Sequence, residues 1–136
     1  MPERVTVNVD GGARGNPGPA AIAAVAATPD GELFERRGEA IGRATNNVAE
    51  YRALLLGIEL ARSLGAREVE LIGDSQLVVR QVKGEYRVKD AGLKPLHAEV
   101  RAALAGFDRW SIRDVRREQN AEADRLVNET LDGAGG

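Results

Sequence analysis

The chain has 136 residues, 43% of them hydrophobic, and contains no cysteine, so one domain of this size can build a core without disulfides. Cysteine catalysis, thiolate zinc sites and disulfide scaffolds are excluded, and no apolar run has the length of a membrane span or the flanks of a signal peptide. The formal net charge is −2, which argues against tight, salt-driven binding to a phosphate backbone; a soluble, cytoplasmic monomer is expected.

From Arg4 to Asp10 the valines alternate with polar residues, the period-2 pattern of a strand with Asp10 at its end. The glycine-rich stretch Gly11 to Pro19 predicts a turn. Ala20 to Thr28 and Glu32 to Ile41, joined through Pro29-Asp30-Gly31, predict two more strands of an antiparallel meander. Past Thr45 the period changes: Val48, Tyr51, Leu54, Leu55, Ile58 and Leu60 recur at helical spacing, with Thr45-Asn46-Asn47 before them and Gly65 after. Asn46-Asn47 read as capping residues. Arg67 to Gly73 predicts a strand, and Asp74-Ser75 can cap a helix through Leu77, Val78 and Val82. Lys83 to Gly92 has no clear period; Leu93 to Leu104 predicts a helix, Arg109 to Val115 a strand and Asn120 to Leu131 a closing helix. The domain is expected to occupy residues 1–132, with Gly133 to Gly136 as a flexible tail or linker. This order of elements predicts an α/β fold: a mixed five-stranded sheet, three antiparallel strands then two parallel ones, with helices on both faces.

Four acids stand in informative places. Asp10 and Asp74 are expected at the ends of neighbouring strands, the edge where open α/β sheets collect ligands. Glu50 continues the row Leu54, Ile58, Ala61, and Asp124 leads the row Val127, Leu131. A carboxylate on a core-facing row is protonated, paired with a cation or bound to metal, and no Lys or Arg is obviously shared by all four. All-oxygen ligation selects Mg²⁺ first and Mn²⁺ second, and two such ions roughly 4 Å apart support in-line phosphoryl transfer without a covalent nucleophile. Two bound divalent cations would bring the net charge to about +2, so the bulk charge does not exclude a nucleic acid. The glycines of Gly11 to Gly18 lead into a strand rather than a helix, and so fail the dinucleotide fingerprint.

Around these acids the segments VDGGARGNPGPAA, TNNVAEYRALLLGIELA, LIGDSQLVVRQVKGEY and REQNAEADRLVN resemble the type 1 ribonuclease H family, in order and over nearly the whole chain, from Val5 to Leu131. The resemblance implies the ribonuclease H-like fold and a two-metal endonuclease that hydrolyses the RNA strand of RNA/DNA hybrids, leaving 3′-hydroxyl and 5′-phosphate ends. It implies Asp10, Glu50, Asp74 and Asp124 as catalytic metal ligands. Asn16, Asn46 and Gln76 match positions that reach the minor groove of the hybrid, where 2′-hydroxyls mark the RNA. Backbone groups of Gly11, Gly12 and Ser75 lie beside them, and Thr45 and Asn47 match positions near a phosphate of the DNA strand. No organic cofactor is implied.

Two features depart from the family pattern. The histidine that many members carry in a loop before the last helix is missing, since the only histidine, His97, sits among Leu93, Leu96, Val100 and Leu104 and reads as structural or exposed. Arg116, Arg117 and Glu118 are then the candidates to stand in for it near the leaving group. The basic extension of some members is reduced to Arg80, Lys83, Arg87, Lys89 and Lys94 against Glu85 and Asp90, which predicts weaker hybrid affinity and a shallow salt dependence. Trp110 reads as core; Tyr86 is open to either a stacking or a packing role. The competing readings are another two-metal nuclease or integrase on the same fold, a non-catalytic hybrid-binding module, and an actin-like ATPase, which needs two such domains.

Overall fold

The computed structural model describes residues 3–135. Its elements are β1 (Arg4–Ala13), β2 (Gly18–Ala27), β3 (Leu33–Ala44), α1 (Asn46–Ser63), β4 (Glu68–Gly73), α2 (Gln76–Lys83), α3 (Lys94–Leu104), β5 (Arg109–Asp114), a short 3₁₀ turn (Arg117–Asn120) and α4 (Ala121–Gly135). The strands form one sheet in the order β3-β2-β1-β4-β5. The β1–β2 and β2–β3 pairs are antiparallel, and the β1–β4 and β4–β5 pairs are parallel. This is the mixed five-stranded sheet that the sequence predicts.

Alternation along β1 and β2 divides the molecule into two layers of unequal weight. Val5, Val7 and Val9, with Ala20, Ile22, Ala24 and Ala26, pack under α1 in the main core. The helix lies very close to the strands at Gly57, where an added Cβ would stand 2.6 Å from Val9 Cγ1. On the other face Ala21 and Ala23 meet Val127 and Leu131 of α4 in a small separate cluster. Helices thus cover both faces.

α2 and α3 extend the main core with Val78, Val79, Val82, Val100 and Leu104. Polar bonds fix their position. Tyr51 Oη donates to Gln81 Oε1 at 2.7 Å, His97 Nε2 lies 3.0 Å from the Gln81 carbonyl oxygen, and Arg101 Nη1 donates to the Val82 carbonyl at 2.6 Å. His97 is therefore structural. Trp110 is partly buried against the core, with the Arg101 guanidinium 5.4 Å from its ring.

Several boundaries differ from the expected ones. β1 does not stop at Asp10: its pairing with β2 continues from Asp10↔Ala23 to Ala13↔Ala20, whereas its pairing with β4 ends at Asn8↔Ile72. β3 runs past Ile41 because Gly42, at φ +77°, absorbs a register shift opposite Ala20/Ala21 instead of ending the strand. The helix cap before α1 is Thr45, whose hydroxyl accepts from the Val48 N–H at 3.2 Å, not Asn46 or Asn47. Strand β5 reaches the last helix through the 3₁₀ turn, and α4 continues beyond Leu131 through Gly135, part of the segment that the sequence predicts as a flexible tail. Gly136 lies outside the described residues.

Candidate active site

Asp10 lies where β1 runs beyond the end of β4, and Asp74 follows immediately on the last residue of β4. Both acids therefore emerge at the same edge of the parallel pair. Asp10 is only 7% exposed. Glu50 arrives from the second turn of α1, where its Oε1 accepts the Gly11 N–H at 2.7 Å. That bond depends on the missing side chain at position 11, because a Cβ there would collide with the carbonyl of Ala49. Carboxylate oxygens of Asp10, Glu50 and Asp74 lie within 4.8 Å of one another. Asp124, in the first turn of α4, stands close enough for its charge to act on Asp10. The four acids line one open cleft of about 520 Å³.

Their electrostatics are those of crowded anions. Burial, then the charges of Asp74 and Asp124, push the Asp10 carboxyl up to about 7. Burial, then Asp10 and Asp74, hold Glu50 well above its ordinary range. Among the described residues no Lys or Arg forms an ion pair with any of the four. Asp74 Oδ2 is buried with no hydrogen-bond partner, a costly state for a carboxylate oxygen unless something positive is to meet it. Oxygen-only donors, mutual proximity and an unpartnered oxygen fit a hard divalent cation.

Beneath the acids Asn120, 1% exposed, ties the 3₁₀ turn to β1. Its Nδ2 donates to the Val9 carbonyl at 2.9 Å, and its Oδ1 accepts from Asn8 Nδ2 at 2.9 Å. Asp124 therefore hangs from a helix whose start is pinned beside Asp10. The sequence offered little sign of this pair: Asn8 occupies an ordinary outward position of an alternating strand, and 112 residues separate the partners.

The polar residues expected to touch substrate divide into two groups. Gly11, Gly12, Asn46, Asn47 and Ser75 line the cleft. Asn16, Thr45 and Gln76 stand outside its lining, Gln76 exposed at the first position of α2. Asn16 is nonetheless built into the rim: its Oδ1 accepts from the Asn46 N–H at 3.0 Å, while Asn46 Oδ1 accepts from the Ala13 N–H at 2.8 Å. These two bonds clamp the β1–β2 hairpin to the start of α1 and leave each amide nitrogen to donate outward. Ser75 Oγ caps α2 by accepting from the Val78 N–H at 3.3 Å.

Of the three residues considered in place of the missing histidine, Arg117 lines the cleft; Glu118 lines a separate depression over Thr6, Asn8 and Glu70. Arg14 and Asn128 also border the cleft, and sequence reasoning missed both. For Arg14 the glycine-rich context reads as turn chemistry alone.

Comparison with known proteins places this geometry. A family profile described as reverse transcriptase-like matches residues 8–130. Ribonuclease HI of Halobacterium salinarum is 47% identical over 131 residues, covering 96% of this chain and 66% of that protein. The bifunctional protein Rv2228c of Mycobacterium tuberculosis is 45% identical over 132 residues, 96% of this chain but 36% of that protein; the chain thus spans less than two thirds of these relatives. The crystal structure of the Halobacterium salinarum RNase H1 superposes with a TM-score of 0.93, covering 96% of this chain and 98% of that one. LC11-RNase H1 in complex with an RNA/DNA hybrid, 39% identical, also superposes at 0.93, covering 97% and 99%. With its sheet order, its acid positions and these likenesses in agreement, the chain belongs to the type 1 ribonuclease H family.

Proposed function

We propose that this chain is an endoribonuclease that hydrolyses the RNA strand of RNA/DNA hybrids by a two-metal-ion reaction, leaving 3′-hydroxyl and 5′-phosphate ends. The observation that carries the metal is Asp74 Oδ2, buried without a partner against Asp10 and Glu50; the hybrid is supported by the likeness to LC11-RNase H1. Asp10, Glu50, Asp74 and Asp124 would hold two Mg²⁺, or Mn²⁺ in their place. Bound there, the cations would lower the pKa of the attacking water and stabilise charge on the leaving oxygen.

The chain's own groups supply orientation. Gly11 N–H fixes Glu50, and the Asn8–Asn120 bond fixes the base of α4 and with it Asp124. Asn16 and Asn46, with Gln76 and the backbone of Gly11, Gly12 and Ser75, face the minor groove, the amide nitrogens donating to 2′-hydroxyl or base acceptors. Thr45 and Asn47 lie toward a phosphate of the DNA strand. Arg117 takes the place of the absent histidine as a fixed positive charge; unlike histidine it gives up no proton near neutral pH. All four acids come from one chain, so the site needs no residue of a second copy; a monomer, residues 1–132 as the catalytic domain and a cytoplasmic location are part of the same reading.

Along the end of α2 and the segment that follows it the basic side chains are partly engaged: the Arg80 guanidinium lies 5.7 Å from the ring centre of Tyr86, and Lys83 Nζ lies 3.9 Å from Glu85 Oε2. Tyr86, 42% exposed, thus stacks with Arg80. This supports modest affinity and a shallow salt dependence.

The test is cleavage of end-labelled RNA/DNA, RNA/RNA and DNA/DNA duplexes of one sequence in Mg²⁺ and Mn²⁺. The hybrid alone is expected to be cut, with products whose 5′ ends accept ligation without prior phosphorylation. Wild-type protein that shifts the hybrid in a gel but leaves it whole in both metals would make this a binding module; no cutting and no binding would remove the reading.

A further inference from the structure

Arg14 stands at the tip of the β1–β2 hairpin, where it belongs to the cleft but not to the acid cluster. Its backbone is fixed by its own N–H, which donates to the Pro19 carbonyl at 2.8 Å, and the tip is so tight that a Cβ at Gly18 would strike the Arg14 carbonyl. The side chain crosses to the far end of α4. Its Nη2 lies 2.7 Å from Asp132 Oδ1 and 3.5 Å from the Asn128 carbonyl oxygen. At a rise of 1.5 Å per residue, Asp132 lies about 12 Å along the helix from Asp124. Between them the wall of the cleft is Val127, Asn128 and Leu131, opposite Gly12, with no charged side chain among the described residues. A polynucleotide that leaves the acids along α4 meets Arg14 as its next charged group.

We propose that Arg14 binds a phosphate of the strand being cut, about two helical turns of α4 away from the acids, and that Asp132 is the counter-ion this phosphate displaces. The inference rests on the proposed hybrid substrate. A guanidinium fork matches two phosphate oxygens as well as it matches a carboxylate. The existing pair is easily exchanged: the Arg14 and Asp132 side chains are 49% and 69% exposed, and ion pairs so exposed contribute little to stability. Asp132 keeps the guanidinium extended across the cleft when no substrate is present and competes for it when substrate is bound. It thereby weakens binding and favours release.

The rival explanation is a purely structural strap between the hairpin and α4. The two differ in sign. Arg14→Ala and Asp132→Asn break the same ion pair, so a strap predicts the same effect from both. A phosphate site predicts opposite effects on KM. Arg14→Ala is expected to raise KM roughly tenfold, with a much smaller change in kcat, and to reduce the salt slope of log kcat/KM by about one unit. Asp132→Asn is expected to lower KM, and Arg14→Lys to recover part of the loss. Both single variants should melt within a degree or two of wild type.

A single neutral methylphosphonate, moved stepwise along the RNA strand, should reveal one position at which wild type and Arg14→Ala become equal. No position on the DNA strand should do so. KM moving in the same direction in both variants, or the equalising position falling on the DNA strand, overturns the inference while leaving hybrid cleavage standing. Failure of wild type to cut or bind the unmodified hybrid overturns the proposed function, and the Arg14 site with it.

Discussion

The two faces of the sheet have different duties, although the same strand supplies both. Under α1, Val5, Val7 and Val9 are at most 3% exposed and belong to a core that extends through α2 and α3. Toward α4, the alternating residues are Thr6, Asn8 and Asp10, and the hydrophobic cluster there is the small one of Ala21, Ala23, Val127 and Leu131 with the partly buried Leu126. One face holds the chain together; the other holds charge at the edge of the sheet. Side-chain parity along β1 makes the separation possible, since a one-residue step reverses the face. A buried carboxylate such as Asp10 can persist because the opposite layer supplies stability without its help.

The largest test of that division removes the charge. Asp10→Asn keeps the shape of the side chain, so the protein should remain folded while kcat on hybrid falls by more than about 10³-fold, the several kcal/mol expected of a metal ligand. Melting and single-turnover kinetics on the same sample check it; activity within tenfold of wild type would detach Asp10 from the reaction. Leu60→Ala is the complementary change. Leu60 is fully buried in α1, and truncation should cost about 2–5 kcal/mol in urea unfolding. Its kcat at 25 °C should stay near wild type, and a large loss of kcat in a fully folded sample would mean that the two layers are not separable.

How much of this division was legible in the sequence differs between the layers. The α1 layer was plain: alternating valines and a helical row of Leu54, Ile58 and Ala61 each carry their own period, and the acids interrupt those periods visibly. The α4 layer was read only in part. Asp124 was found through its row with Val127 and Leu131 and its surrounding motif. Asn8, Asn120 and Arg14 were not found, because each acts through a partner more than 100 residues away, and a single polar residue in a strand or turn has no periodicity to betray it. Asn46 stands out in the sequence as a capping residue, since capping chemistry suits Thr and Asn alike. Its neighbour Thr45 took the cap, and Asn46 clamps the hairpin.

A smaller effect should appear in the pH dependence of the metal-free protein. Asp10 titrates near 7 in the folded chain against an ordinary value of 3.8, so between about pH 4 and 7 the folded state holds more protons than the unfolded one. Stability should therefore fall as pH rises through that window, and Glu50, raised well above its ordinary range, acts in the same direction. In EDTA, Asp10→Asn should flatten the slope and be more stable than wild type at pH 8 by about 1–3 kcal/mol. Mg²⁺ should reverse the trend, because its binding requires the deprotonated acids. A wild-type slope that Asp10→Asn leaves unchanged would place the titration elsewhere.

The smallest effect concerns the joint between the layers. Asn120→Ala removes a buried donor to the Val9 carbonyl and the acceptor of the Asn8 amide, at a cost of about 1–2 kcal/mol. Unlike Leu60→Ala it should also lower kcat, because Asp124 lies one helical turn beyond Asn120 and loses its fixed distance from Asp10; unlike Asp10→Asn it should leave part of the rate. The pairing itself is read from a double-mutant cycle. If the Asn8–Asn120 bond positions α4, Asn8→Ala in the Asn120→Ala background should add little further loss in either stability or kcat. Additive losses would mean that each asparagine acts alone, and that the start of α4 is held by its apolar contacts with Ala21 and Ala23.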